Sequence, residues 1–102
     1  MPANVSDSEC VWHCYVIETL QRDRVRSALQ DAGIQTAVHY PLPIHRQKAY
    51  AHLEYKSGDL PVTEALCEHC LSLPIYPELS KEKISRVASI LLDLEKLLTL
   101  QA

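Results

Sequence analysis

The stretch VWHCYVIETL (11–20) is dense in β-branched and aromatic residues, the composition of a strand. Alternation places Val11, His13, Tyr15 and Ile17 on one face and Trp12, Cys14 and Val16 on the other. Both faces are mainly apolar, so the strand is expected at the centre of a sheet rather than at its edge. The period then lengthens. In DRVRSALQDAG (23–33), Val25, Ala28, Leu29 and Ala32 fall at helical spacing, with Arg22, Arg24 and Arg26 on other faces. Gly33 is placed to close that helix in a left-handed conformation. IQTAVHY (34–40) reads as a second short strand, which Pro41 stops because proline cannot donate to a ladder.

Beyond Pro41 the pattern is broken by turn chemistry. Pro43 holds Leu42 extended, since a residue before proline avoids the helical region. A short helical turn is expected near His45–His52. KSGDLP (56–61) is a turn with Asp59 or Leu60 near a helix cap and Pro61 in the first turn, where its missing N–H is harmless. Val62, Ala65, Leu66 and His69/Cys70 then trace one helical stripe. Leu71–Pro74 is a candidate short strand, and Ser80 caps a last helix from Lys81 to Leu100. Ile84, Val87, Leu91, Leu94 and Leu98 give that helix its apolar face, and Ile90, Leu92, Leu97 and Leu100 widen it beyond what one contact needs. A second apolar contact, and hence self-association, is expected there. The order of elements predicts an α+β fold, one small sheet packed against helices.

Length and charge narrow the class. At 102 residues the chain holds one domain, expected over 10–102 behind a polar, unstructured lead-in at 1–9. Hydrophobic residues make up 47% and charged residues 23%, a globular balance. A net charge of −3 with scattered lysines and arginines argues against nucleic acid as a partner. No run is long and apolar enough to span a membrane, and MPANVSDSEC lacks the basic and apolar regions of a secretory signal. Cytoplasmic residence is the expectation, with the four cysteines reduced. Met1 so close to the first strand is expected of an independent reading frame.

Candidate chemistry concentrates in HYPLPIHRQKAY (39–50), where functional side chains sit beside rigid prolines, as in a binding loop. His39 and Tyr40 end a strand and are candidates to line a cleft, against a purely structural hydrogen-bonding role. His45, next to Arg46, is a candidate to face an anionic group such as a nucleotide phosphate, against a plain surface histidine. His13 and Tyr15 alternate along the first strand as either core or cleft residues. Cys10 and Cys14 with His13, and Cys67 and Cys70, supply the atoms of a zinc site but not its turns, so they read as small core hydrophobes. A metal triad of His39, His45 and His52 has irregular spacing across prolines. No metal is expected.

Four motifs in order carry a resemblance over roughly residues 10 to 95. They are His13-x-Tyr15, Gly33-Ile-x-Thr36, His39-Tyr-Pro-x-Pro-x-His45 and Leu71-Ser-Leu-Pro-x-x-Pro77. Together they resemble the C-terminal domain of the DegT/DnrJ/StrS-type sugar aminotransferases. The resemblance implies the small domain of a fold-type I aminotransferase. It implies pyridoxal phosphate as the cofactor of the full-length family, held through a lysine on a larger domain, and a nucleotide-sugar as substrate. It also implies that His13, Tyr15, His39, Tyr40 and His45 belong to the substrate-binding wall of a shared cleft.

Lys48, Lys56, Lys81, Lys83 and Lys96 all stand in polar settings, without the apolar surroundings that make an amine a Schiff-base nucleophile. The chain is therefore expected to hold no cofactor and not to transaminate alone. Its expected partner is a separate cofactor-bearing domain or a second copy. The alternative is a stand-alone binding or oligomerisation module that keeps only the fold.

Overall fold

A computed structural model describes residues 7–100. Residues 1–6 of the expected lead-in lie outside the described residues, as do the side chains of Leu98 and Leu100. The elements run β1 (Tyr15–Glu18), α1 (Arg22–Asp31), α2 (Pro61–His69), β2 (Cys70–Leu73) and α3 (Lys81–Leu100). Two short 3-10 helices, Ile44–Arg46 and Lys48–Leu53, stand where the helical turn was expected. β1 and β2 pair antiparallel, Tyr15 opposite Leu73 and Ile17 opposite Leu71, and helices complete the α+β architecture. No helix among the described residues is long and apolar enough to cross a membrane.

α1 forms as its periodicity demands, with Val25 and Leu29, one turn apart, buried against β2 and α3. Its end is a two-bond motif. The Gly33 N–H donates to Gln30 and the Ile34 N–H to Leu29, satisfying carbonyls that a helix end would otherwise leave unpaired. Gly33 adopts φ +76°, the left-handed conformation expected of it. Ile34 folds back to join Val25, Leu29 and Leu71 in the core. Val87, Ile90, Leu91 and Leu94 of α3 close over this cluster, and the Arg86 guanidinium donates to the Ala32 carbonyl at 2.7 Å.

Several expectations are corrected. The first strand occupies only residues 15–18, because β2 offers four residues to pair with. It lies at an edge, not at the centre: β2 is flanked by β1 on one side and by Ala37, bridged to Ser72, on the other. The second expected strand is reduced to that one bridge. The stripe on α2 does not face the core; Val62 and Leu66 are exposed, and Cys70 belongs to β2, where it is buried. On α3, Ile90 packs inward, while Ile84, Leu92 and Leu97 are the apolar residues left outside.

Candidate functional site

The loop that begins at His39 is a strap pinned at both ends. Ala37 exchanges two backbone hydrogen bonds with Ser72, at 3.1 and 2.7 Å, which brings the chain alongside β2. Two residues later His39 Nδ1 lies 2.9 Å from the Ser72 hydroxyl. The His39–Tyr40 peptide is cis. Tyr40, Leu42 and Ile44 then stand exposed between and beside the two prolines.

At the far end His45 is buried, and its Nε2–H donates to the Glu64 carboxylate of α2 at 2.9 Å. The Tyr55 ring meets the His45 ring edge-on at 5.8 Å. Glu64 also accepts the Gly58 N–H on both oxygens, at 3.0 and 2.9 Å, and so ties the turn before α2 to the strap. Glu64 was not among the residues the sequence singled out. Its signal was a carboxylate four positions into a helix behind a Ser-Gly-Asp turn, the setting in which acids reach back to unpaired N–H groups.

The Gly58 N–H, and after it His45, hold the Glu64 carboxyl below the usual carboxylate range. A depressed folded-state value means stability that is complete above the unfolded value, about pH 4.3, and lost as pH falls through the lower folded value. Glu64→Gln is expected to flatten the acid limb of the stability profile and leave its shape near neutrality unchanged. Urea midpoints measured across the acid range check this; an unchanged acid limb would remove Glu64 from the account.

His13 and His39 are brought together. They line one open cavity of about 380 Å3, with Cys14, Gln35, Thr36 and Ser72 among its walls. Because Nδ1 of His39 is engaged by Ser72, with Cys14 Sγ 4.0 Å away, Nε2 is the ring nitrogen left to meet a ligand. If the hydroxyl donates to Nδ1, Nε2 carries the proton and offers it to a ligand oxygen; the opposite sharing makes Nε2 an acceptor. Tyr40 stands edge-on to His39, ring centroids 5.4 Å apart.

His45 lies apart from this pair, and Tyr15, which does not line that cavity, shares a second open groove with His39. Tyr15 lines a different, almost wholly apolar cavity of about 280 Å3 beside α3, with Ile17, Leu73 and Leu91. His45 is turned inward on Glu64. Ser72, Gln35 and Thr36 were not singled out, although the Gly-Ile-x-Thr and Leu-Ser-Leu-Pro motifs contain Thr36 and Ser72 and could have pointed to them.

The cysteines form no cluster. Cys10 is exposed, Cys67 sits on α2 with its carbonyl accepting from Arg22 at 3.0 Å, and Cys70 is buried in β2. Burial, with Cys70 adding to it, pushes the Cys67 thiol up. Among the described residues no three of His, Cys, Asp or Glu are gathered as metal ligands need.

The sequence profile of the DegT/DnrJ/EryC1/StrS aminotransferase family matches residues 1–92. The erythromycin biosynthesis sensory transduction protein EryC1 of Saccharopolyspora erythraea is 43% identical over 84 residues, 82% of this chain and 23% of the relative. The dTDP-3-amino-3,4,6-trideoxy-alpha-D-glucose transaminase of Streptomyces venezuelae is 40% identical over 87 residues, 85% of this chain and 23% of that protein. The crystal structure of S. venezuelae DesV in complex with a ketimine intermediate superposes with a TM-score of 0.80 at 39% identity, covering 88% of this chain and 24% of that one. The chain thus spans about a quarter of the length of the relatives it matches.

Proposed function

The chain belongs to the DegT/DnrJ/EryC1/StrS aminotransferase family, and we propose that it supplies the small-domain wall of a nucleotide-sugar amination site without being catalytic alone. The observation that carries this reading is the share of the relatives it covers: 23% of the Streptomyces venezuelae transaminase, whose name specifies a dTDP-linked amino sugar. Pyridoxal phosphate supplies the electron sink for amination when bound, and it needs a lysine in surroundings that favour its neutral amine.

The residues present do not fit that group. All five lysines are exposed, none lines the cavity of His13 and His39, and Lys96 is paired with Asp93 at 3.5 Å. The cofactor is therefore assigned to a separate cofactor-bearing domain. What this chain contributes is binding. His39 presents Nε2 to a sugar or phosphate oxygen, Ser72 fixes the ring, His13 lines the same cavity, and Tyr40 packs edge-on against His39.

Two measurements test the reading. Incubation with pyridoxal phosphate followed by borohydride is expected to leave every lysine unlabelled at stoichiometric cofactor; a single lysine labelled selectively would overturn the claim that the chain is not catalytic alone. Titration with a dTDP-sugar, followed by NMR, is expected to shift His13, His39 and Ser72 first. Shifts confined to residues outside that cavity would remove it as the binding wall.

A further inference from the structure

The four cysteines differ in what can reach them and in what stands beside them. Cys70 is 1% exposed, and burial of the Cys67 thiol favours its protonated form, which does not attack. Cys10 is exposed but lies outside the cavity of His13 and His39. Cys14 is partly buried and forms part of that cavity's wall. Its Sγ lies 4.0 Å from His39 Nδ1, the nitrogen that also meets the Ser72 hydroxyl at 2.9 Å.

These neighbours complete a reactive setting. A thiol attacks as its proton leaves, and a histidine beside it is the group that takes the proton. Ser72 can serve both states of that histidine, since a hydroxyl donates to a bare Nδ1 and accepts from a protonated one. The cavity also carries His13, Gln35 and Thr36, hydrogen-bonding groups without fixed charge, around a volume of about 380 Å3. That is near the small end of ligand sites and suits a short polar molecule.

We propose that Cys14 is a reversible thiolation site, which takes a small polar disulfide and closes the His39 cavity while the adduct lasts. His39 Nδ1 takes the proton of Cys14, and Sγ attacks one sulfur of the disulfide. That S–S bond breaks as a new one forms to Cys14. The other half leaves as a thiolate and collects the proton from His39, so one small thiol is released for each cysteine oxidised. Excess small thiol reverses the step. The thiolation stands on the geometry around Cys14. Its consequence, control over sugar binding, rests on the reading of this cavity as a binding wall.

Hydroxyethyl disulfide is the probe, with peptide mapping of the whole chain to time each cysteine. Cys14 is expected to react about tenfold faster than Cys10 or more, through the general base, and the two rates are expected to converge in concentrated urea. Equal rates in the folded chain, or a difference that survives unfolding, would overturn the proposal. His39→Gln keeps a side chain that can bond Ser72 but offers no base. It is expected to bring Cys14 down to the rate of Cys10 and leave Cys10 as it was; an unchanged Cys14 rate would remove His39 from the step. Should that variant fail to fold, the comparison of wild type in and out of urea decides. The thiolated chain is then titrated with the dTDP-sugar by NMR. Shifts at His13 and Ser72 are expected to vanish and to return on adding a small thiol. Shifts that persist in the thiolated chain overturn the closure and leave the binding wall standing. No shifts in the unmodified chain overturn the binding wall and the control over it, and leave the thiolation to the labelling rates.

Discussion

Leu71→Ala is expected to leave much of the chain unfolded at physiological temperature. Leu71 is completely buried in β2 and touches the cluster of Val25, Leu29 and Ile34 from the sheet side. Removing its side chain costs the transfer term plus a cavity, about 3 kcal/mol. That is a large part of the stability of a domain this small, which is commonly near the low end of about 5–15 kcal/mol. The buried hydrophobic residues are few: Val25, Leu29, Ile34, Cys70 and Leu71. Among the described residues no second core layer is available to compensate. Urea unfolding followed by circular dichroism measures the effect, and Leu71→Met, which conserves volume, is expected to cost less than about 1.5 kcal/mol. A Leu71→Ala midpoint equal to wild type would show that the core does not turn on this residue.

His45→Ala is expected to have the next largest effect, and a different one. It removes a buried ring that donates to Glu64 and meets Tyr55, a loss of about 2 kcal/mol from the broken polar contact and the space left behind. Because His45 is one of two pins, the strap from Tyr40 to Ile44 should loosen while β2 and α3 hold. Amide exchange would accelerate at residues 42–46 more than in α1. Tyr40→Ala, on the exposed part of the strap, should change stability little. If instead His45→Ala melts like wild type and weakens nucleotide-sugar binding, His45 meets ligand, as its place beside Arg46 in the sequence suggested.

Much of this fold can be read from local pattern. Helix α1 announces itself by Val25 and Leu29 and stops at Gly33, whose backbone conformation few other residues adopt without strain. Pro61 marks the start of α2, and the apolar spacing from Val87 to Leu94 marks the inner face of α3. These signals are local, and a helix satisfies its hydrogen bonds locally. The errors fall where pairing is remote. VWHCYVIETL has strand composition over ten residues, but a strand exists only where another strand faces it, and β2 faces four. The stripe on α2 has helical period, yet period says that one face is apolar, not that anything covers it.

The site divides in the same way. His39 stands out because it ends a strand before a proline, while its link to Ser72 spans 33 residues and leaves no trace in spacing. His45 and Glu64 are 19 residues apart, and only the folded chain shows that the histidine turns inward.

The pin between His45 and Glu64 has a consequence for the chain it encloses. Every residue from 48 to 63 is exposed, so the chain between His45 and Glu64 is a detour over the surface outside the hydrophobic cluster. The cluster of Val25, Leu29, Ile34 and Leu71 joins the two sides of that detour without it. In the language of protein fragmentation, the chain is already scored for division. One piece carries β1, α1 and the strap, the other α2, β2 and α3, and the surfaces that would reunite them are formed without the peptide bonds between them.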